Sequence, residues 1–368
     1  MNNKIFKSAN GDIPTPLFFP DATRAVIRTL DSEDIRNTKT LGVLVNTYHL
    51  LRELGNDVIK KFGGIRNFMD WQGGVISDSG GFQVMSLIKR GEMQGRITKE
   101  GVTFHPVGEK KMLLTPEKSI RFQMSLMPDM VVVLDDFTDP VVDHDQAKVS
   151  VDRTIEWAKR SKDEYEKICK EKRLSADKRP YLLGVVQGGK FQDLREYCTK
   201  ELVKIGFDGL GYGGWPMDDN GDFDFSSAQT IADNTPKGYF LYGLGVGKPD
   251  EIVACARMGF NIFDCVLPTR DARHGRLYIF DADSIDQINL NSEKFYSYYT
   301  PNKERYYYDE SPVSSACDCL LCKNYSRAYI AHLFRTKEIT AMRLATIHNL
   351  RFYSLLTEKL RELLTSEK

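Results

Sequence analysis

The sequence lacks the features that would point to a membrane or to an export route. None of its apolar runs approaches ~20 uncharged residues, the length that a membrane-spanning helix needs, so a membrane span is excluded. The segment from Met1 to Lys7 is polar and has no apolar core typical of a secretory signal, which predicts a cytoplasmic protein. An excess of charge is missing too, because 51 basic residues balance 51 acidic ones. A nucleic-acid partner would therefore have to be held by a local basic patch.

Cysteine is scarce and unevenly distributed. The chain has 7 cysteines, of which three lie together in the segment Cys317-Asp-Cys319-Leu-Leu-Cys322. Without an export signal, a metal site explains this cluster better than a disulfide framework does. Three thiolates and one imidazole complete the tetrahedral coordination of a structural zinc ion and leave no open position. His348 and His332 are the candidates for the fourth ligand, although His332 could simply lie on a helix face.

Short apolar or β-branched segments alternate with amphipathic helical stretches along most of the chain. The candidate strands are Thr15–Pro20, Gly42–Tyr48, Gly74–Ser77, Met130–Leu134, Tyr181–Val186, Gly209–Gly213, Phe240–Gly245 and Asn261–Cys265, and helices are predicted over Pro116–Leu126, Asp145–Lys170 and Phe191–Ile205. This alternation predicts a parallel sheet of the α/β class, and eight units favour a closed (β/α)₈ TIM barrel. An open, doubly wound sheet is the alternative.

Two insertions interrupt the alternation. The segment Arg96–Thr115 predicts a β-hairpin that turns near Val107-Gly108-Glu109, and the tyrosine-rich segment Asp286–Glu310 leads into the cysteine cluster. A basic amphipathic helix is expected over roughly Thr340–Leu364. We therefore predict a barrel over residues 1–285, a zinc-binding subdomain over 286–350 and a C-terminal helix packing on the barrel over 351–368.

Polar residues and a glycine follow the predicted strands at their carboxyl ends. They are Asp21, Asn46, Asp78, Asp135, Gln187, Gly214 and Asp264. In (β/α)₈ barrels the carboxyl ends of the strands form the catalytic face. Helix capping would explain one or two of these residues, but it explains the whole set less well.

Two of these carboxylates predict a reaction class. Asp78 ends the third strand before the turn Ser79-Gly-Gly-Phe-Gln83, and Asp264 lies at the end of the eighth strand. Either residue alone could be a cap or a loop residue. As a pair on one rim they favour glycosyl transfer, in which one carboxylate attacks an anomeric carbon and the other handles the proton.

Motifs along nearly the whole chain resemble those of the tRNA-guanine transglycosylases. They are Asn46–Leu50, Asp78–Gln83, Val186–Gly189, Gly245–Pro249, Phe263–Arg270, the cysteine cluster with Asn324–Tyr329, and Thr346–Asn349. The resemblance is to the bacterial type. It implies a barrel with a zinc subdomain near its C-terminus, usually assembled as a homodimer.

The resemblance also implies residue roles. Asp264 would be the nucleophile that attacks the ribose C1′ of the tRNA wobble guanosine, and Asp78 the general acid/base. The implied base-site residues are Asn46 near the ribose, Phe82 stacked on the base, Asp135, Gln187 and Gly214 on the purine edge, and Leu244 on the other face. The implied ligands of the structural Zn²⁺ are Cys317, Cys319, Cys322 and His348, which favours His348 over His332.

The implied reaction replaces the wobble guanine of tRNAs with GUN anticodons by a 7-deazaguanine, through a covalent aspartyl-ribosyl intermediate, in queuosine modification. The guanine must leave the anticodon-loop stack to reach a barrel mouth. A basic loop after Asp264, with Arg270, Arg273, His274 and Arg276, suits contacts with the RNA phosphates, although it could also be a solvated surface loop.

Two segments depart from the family pattern, where the 7-substituent of the incoming base is expected. They are Trp215–Asn220 after the glycine pair and Asp136-Phe137 after Asp135. The resemblance implies 7-aminomethyl-7-deazaguanine as the incoming base, with queuine as the alternative, and the two departures leave this choice open. Two other functions stay open. One is a non-catalytic partner subunit, which would lack the nucleophile that Asp264 matches, and the other is a deazaguanine transglycosylase acting on DNA.

Overall fold

The computed structural model describes residues 4–106, 108, 110–218 and 220–366. The strands are β1 (Ile5–Ser8), β2 (Gly11–Pro14), β3 (Leu17–Pro20), β4 (Gly42–Asn46), β5 (Gly74–Asp78), β6 (Gln94–Ile97), β7 (Val102–His105), β8 (Met112–Leu114), β9 (Met130–Val132), β10 (Tyr181–Val186), β11 (Gly209–Tyr212), β12 (Phe240–Gly243), β13 (Ile262–Cys265), β14 (Leu277–Phe280) and β15 (Tyr296–Tyr299). The helices are α1 (Ser32–Asn37), α2 (Thr47–Glu53), α3 (Gly55–Phe62), α4 (Ile65–Phe68), α5 (Gly81–Lys89), α6 (Pro116–Leu126), α7 (His144–Glu171), α8 (Gln192–Ile205), α9 (Phe225–Asn234), α10 (Pro249–Met258), α11 (Leu267–Arg273), α12 (Leu320–Asn324), α13 (Arg327–Arg335) and α14 (Ile339–Ser366). Short 3₁₀ helices lie at Ala176–Lys178, Ile285–Gln287 and Glu304–Tyr306.

Eight of the strands form one parallel sheet, in the order β3-β13-β12-β11-β10-β9-β5-β4. A parallel bridge between Asp21 and Leu44 brings the two end strands together, and Ala22 N donates to the Leu44 carbonyl over 2.7 Å. The sheet therefore curls into a nearly closed (β/α)₈ barrel, which confirms the predicted fold class and not the open, doubly wound alternative.

Four predicted strands are each two residues too long. The strand predicted over Met130–Leu134 ends at Val132, and the one predicted over Phe240–Gly245 ends at Gly243. The predicted strand Gly42–Tyr48 ends at Asn46, because the Asn46 side chain accepts a hydrogen bond from His49 N over 3.2 Å and caps α2. The first barrel strand begins at Leu17 and not at Thr15. The predicted helices agree with α6, α7 and α8 to within one residue at each end.

A hairpin of β1 and β2 packs against the amino ends of the barrel strands. The Phe6 ring lies 5.7 Å from the Phe19 ring and 6.0 Å from the Phe240 ring, measured between centroids. Phe6 and Phe19 are fully buried. Because aromatic packing fills this end, the opposite end, where the strands carry their polar residues, is the mouth of the barrel.

The insertion after β5 is a three-stranded antiparallel sheet, β6-β7-β8. Its β7–β8 hairpin is the predicted one, and β6 is an additional strand; Val107 and Glu109 of the predicted turn lie outside the described residues. The sheet has its own apolar cluster with α5 and Trp157 of α7, and Trp157 Nε1 donates to the Lys99 carbonyl over 2.8 Å.

The C-terminal region begins with a β14–β15 hairpin and continues through α12 and α13 into the long helix α14. Helix α14 contacts α11 and β3, and the Tyr353 ring lies 4.5 Å from the Phe18 ring. The division of the chain near residues 285 and 350 stays a prediction. Among the described residues, no helix is long and apolar enough to cross a membrane.

Candidate active site and metal centre

Strand alternation turns a set of polar side chains into the barrel mouth. Phe19 is fully buried and pairs in register with Asp264, so the two side chains point to the same side of the sheet. A Cβ at Gly42 would lie 2.1 Å from the Phe19 ring, so the Gly42 face of β4 also points inward. Asn46, four residues on, shares that face, and it pairs in register with Asp78.

Asp78 is held by hydrogen bonds at both carboxylate oxygens. Asn46 Nδ2 donates to Oδ2 over 2.8 Å, and Gly80 N donates to Oδ1 over 2.9 Å. Gly80 adopts φ +76°, and a Cβ there would lie 2.8 Å from Tyr48 N, so glycine suits this turn. Burial raises the pKa of Asp78 to about 7, and the charge of Asp21 adds to the rise, while these hydrogen bonds oppose it.

Asp264 lies near the end of β13, on the other side of β3 and β4 from Asp78, and is also buried. Gly245 N donates to its Oδ1 over 3.1 Å. Burial raises its pKa to about 6, and Asp21 again raises it further, whereas Gly245 and the buried Tyr242 beside it lower it. Burial thus raises the pKa of both carboxyl groups toward neutral pH, where such a group can serve as a nucleophile when ionised and as a general acid when protonated.

The predicted purine-edge residues lie together at the ends of β9, β10 and β11. Gln187 Nε2 donates to Asp135 Oδ2 over 2.6 Å, and Thr138 N donates to Gln187 Oε1 over 3.1 Å. Burial raises the pKa of Asp135 to about 6. A Cβ at Gly213 would lie 2.7 Å from Gln187 Nε2, and one at Gly214 would lie 3.2 Å from Gln187 Oε1. The paired glycines thus let the backbone approach this carboxylate–amide pair.

Arg195 of α8 lies beneath this edge, and the sequence analysis missed it. Its guanidinium is fully buried and donates to the carbonyls of Gly189 (2.9 Å), Val186 (2.8 Å) and Gly213 (2.7 Å). Its ring neighbour is Tyr212, 4.7 Å away. One cation therefore joins the two segments that carry Gln187 and Gly214. The sequence contained one indication of this role. Arg195 has the helical i, i+3, i+4, i+7 spacing with Cys198, Thr199 and Leu202, so it lies on the buried face of α8, where an unpaired cation would be unfavourable.

Two aromatic rings form a wall beside the mouth. The Phe82 side chain is 52% exposed, so its ring has a free face on which a base could stack. The centroid of this ring lies 5.2 Å from that of Phe137. The departure at Phe137 thus contacts the predicted stacking residue. Leu244 is half-buried, and a Cβ at Gly211 would lie 2.8 Å from its Cδ1, so Leu244 lies over the end of β11.

The other departures from the family pattern are Asp136 and the loop Trp215–Asn220, and each makes its own contacts. Asp136 is buried and forms an ion pair with Arg153 of α7. Trp215 is 55% exposed at the start of the divergent loop. In that loop Asp218 Oδ1 accepts hydrogen bonds from Asn220 N (2.9 Å) and Asp222 N (3.0 Å). Asp219 lies outside the described residues.

The basic segment after Asp264 is a helix and not the expected loop. Arg270 and Arg273 lie on α11, which begins next to Pro268 because proline suits the first turn of a helix. Arg270, His274 and Arg276 are exposed, whereas Arg273 is half-buried and donates to the Thr269 carbonyl over 2.8 Å. Contacts with RNA stay predictions for all four residues.

The structure brings the predicted metal ligands together. One ligand atom from each of Cys317, Cys319, Cys322 and His348 lies within 4.8 Å of all the others. His348 Nδ1 lies 3.5 Å from Cys319 Sγ and 3.3 Å from Cys322 Sγ. Tetrahedral Zn²⁺ with ordinary bond lengths sets such N···S distances at about 3.6 Å, so the donor set fits zinc. His332 is exposed on α13 and is outside this group.

The far side of the His348 ring is also occupied. Its Nε2 donates to the Tyr278 carbonyl over 2.7 Å, which leaves Nδ1 free to face a metal. The next residue, Asn349, donates to the carbonyls of Pro268 (2.9 Å) and Arg276 (3.0 Å) and accepts from Tyr278 N (3.1 Å). One residue of α14 thus belongs to the metal cluster, which is the candidate metal site of Cys317, Cys319, Cys322 and His348, and the next residue holds the segment after Asp264.

Comparison with known proteins decides the family. The family described as "Queuine tRNA-ribosyltransferase" matches residues 4–368. The chain belongs to this family. A queuine tRNA-ribosyltransferase of Psychrobacter cryohalolentis is 37% identical over 361 residues, which cover 98% of this chain and 88% of the relative. One from Shewanella sp. strain W3-18-1 is 39% identical over 95% of this chain and 87% of the relative, and one from Staphylococcus aureus strain JH9 is 37% identical over 99% and 89%.

Membership of the queuine tRNA-ribosyltransferase family confirms the predicted resemblance and the enzyme class, a pentosyltransferase. The roles assigned to single residues stay predictions. The structure nevertheless places the predicted catalytic and base-edge residues at one end of the barrel, and the four predicted ligands in one cluster.

Proposed function

We propose that this enzyme exchanges the wobble guanine of tRNAs with GUN anticodons for a 7-deazaguanine, by double displacement. Asp264 attacks the ribose C1′ and guanine leaves with a proton from Asp78. The covalent aspartyl-ribosyl intermediate then reacts with the incoming base, whose proton returns to Asp78. The observation that carries this proposal is the pair of inward carboxylates at one end of the barrel, whose pKa values burial raises to about 6 and about 7.

Recognition of the base follows from the chemistry of the edge. The Asp135 carboxylate accepts hydrogen bonds from a guanine amine or ring N–H, and the Gln187 amide both donates and accepts. The backbone of Gly214 approaches the same edge. Phe82 and Leu244 provide apolar contact with the two faces of the base.

The metal cluster has a structural role in this proposal, with Zn²⁺ as the ion. Four protein ligands leave no position for a substrate, so the metal would contribute folding energy and no chemistry at C1′. Asn46 would contact the ribose, and the basic segment with Arg270, Arg273, His274 and Arg276 would contact the anticodon-loop phosphates. A homodimer and a cytoplasmic location stay predictions.

Exchange of labelled guanine into tRNA tests the proposal. We expect label to enter a tRNA with guanine at the wobble position and not a matched tRNA with another base there. Challenge with guanine, the aminomethyl base, the cyano base and queuine then identifies the incoming base, because the preferred one displaces label at the lowest concentration. Incorporation into duplex DNA, with none into any tRNA, would contradict the proposal.

A further inference from the structure

We infer that Asp21 is a third carboxylate of the mouth, a positioning residue whose negative charge helps to keep Asp78 protonated. The inference rests on the proposed function, in which Asp78 must carry a proton when guanine leaves. Asp21 had no assigned role among the predicted site residues, although it stands at the end of the first barrel strand.

Strand geometry places Asp21 between the two reacting carboxylates. It lies two residues beyond Phe19, the inward residue that pairs in register with Asp264, and it forms the bridge to Leu44 of β4. Alternation therefore turns Asp21 inward as well. In the sheet, β3 has β13 with Asp264 on one side and β4 with Asn46 on the other, and β5 with Asp78 follows. The strand that carries Asp21 thus stands between those that carry the proposed nucleophile and the general acid.

Local hydrogen bonds orient the Asp21 carboxylate. Thr23 N donates to Asp21 Oδ1 over 3.0 Å, and the Thr23 hydroxyl contacts the same oxygen. Burial raises the pKa of Asp21, and both Thr23 contacts and the charge of Arg273 oppose that rise. Hydrogen bonds that require an acceptor favour the ionised form, so this geometry holds a negative charge at the rim.

Three neighbouring elements, α2, α11 and β12, carry titratable groups that act on Asp21 or Asp264. On α2, burial lowers the pKa of His49, which keeps this ring mainly neutral at neutral pH. On α11, burial and then the charges of Arg28 and Arg270 lower the pKa of Arg273, but a guanidinium stays charged throughout the working range. On β12, Tyr242 beside Asp264 keeps its proton because burial raises its pKa.

The charge of Asp21 acts on both reacting carboxylates in the same direction. Asp78 and Asp264 each have their pKa raised first by burial and then by Asp21. A higher pKa keeps Asp78 protonated at neutral pH, which favours departure of guanine. The same effect on Asp264 makes its carboxylate more basic and a better nucleophile once ionised.

The test compares wild-type enzyme with Asp21→Asn and Asp21→Glu in the guanine-exchange assay, as kcat/KM against pH. Removal of the charge should lower both reacting pKa values, so both limbs of the Asp21→Asn profile should move to lower pH by up to about one pH unit. At about pH 8 this corresponds to a loss of up to roughly tenfold in kcat/KM. Asp21→Glu keeps the charge, and its limbs should stay at the wild-type positions even if its rate is lower.

A second measurement keeps the inference testable if Asp21→Asn exchanges no guanine. Carboxyl carbon NMR of the ¹³C-labelled protein reports the titration of Asp78 directly, with the resonance assigned through Asp78→Asn. A lower Asp78 pKa in the folded Asp21→Asn variant supports the inference, and an unchanged Asp78 pKa or coincident pH profiles overturn it. If the wild-type enzyme itself exchanges no guanine, the proposed function fails, while the titration still decides whether Asp21 controls Asp78.

Discussion

The barrel mouth and the metal cluster use polar side chains in opposite ways. In the mouth, the carboxylate of Asp264 accepts a hydrogen bond from Gly245 N, and its pKa is raised to about 6 because burial disfavours its charge. In the cluster, four ligand atoms lie within 4.8 Å of one another, and the remaining ring nitrogen of His348 donates to a carbonyl. The carboxylates of the mouth are therefore available for reaction, whereas the thiolates of the cluster are arranged so that a bound metal would neutralise their charge.

This contrast predicts different effects for substitutions in the two regions. A change in the mouth should remove chemistry and leave the fold largely intact, because the carboxylates are held at strand ends and not in the apolar core. A change in the cluster should weaken the fold, because α12 and α14 each supply ligands and would lose their link. The following variants test that separation, from the largest expected effect to the smallest.

Asp264→Asn should reduce guanine exchange by at least about a thousandfold, because an amide cannot attack C1′. Covalent trapping of tRNA, seen as a denaturation-resistant band on a gel, should disappear with it. The melting temperature should stay close to that of the wild type. A variant that exchanged guanine at the normal rate would refute the role of Asp264, and one that failed to fold would break the contrast between the two regions.

Cys319→Ser should lower the free energy of unfolding by several kcal/mol, on the order of the loss of a structural metal, and should abolish stoichiometric zinc in the purified protein. Metal analysis and denaturant unfolding measure the two effects. His332→Ala is the matched control, because His332 lies outside the ligand group. Equal zinc content in wild type and Cys319→Ser would contradict the assigned ligand set.

Arg195→Met should raise KM for the incoming base by roughly tenfold with a smaller change in kcat, because the carbonyls of Gly189, Val186 and Gly213 would lose their shared donor and the base edge would loosen. Steady-state kinetics at varied base concentration measure this split. Arg179→Met, which removes a surface arginine paired with Glu166, is the control. A fall in stability with no change in KM would give Arg195 a purely structural role.

Local sequence patterns predicted most of the barrel. Buried strands such as Tyr181–Val186 are apolar throughout, and the polar residues that follow the barrel strands lie at the carboxyl end of the sheet, as predicted. The pattern failed at Thr47 and Tyr48, which favour strand by residue type but belong to α2, because the Asn46 side chain caps that helix. It failed again at the segment after Asp264, where a short helix replaced the expected loop.

The candidate site was predictable where it depends on position along a strand and less so where it depends on contacts across the fold. Asp78 and Asp264 follow from the strand ends. The Phe82–Phe137 wall and the three carbonyls at Arg195 join segments that are distant in sequence, and no local pattern specifies such pairings. The pKa values of the carboxylates likewise depend on burial, which exists only in the folded chain.

In the proposed function, the adjacency of His348 and Asn349 would couple metal supply to RNA affinity. His348 belongs to the metal cluster, and Asn349 holds the backbone of Pro268 in the first turn of α11 and of Arg276 just beyond that helix. A metal bound only by the folded protein shifts the folding equilibrium according to its free concentration. By the reciprocity of linked equilibria, an RNA that binds the ordered α11 segment would tighten metal binding in turn. Scarce metal would then appear first as weak RNA binding, before the barrel itself unfolds.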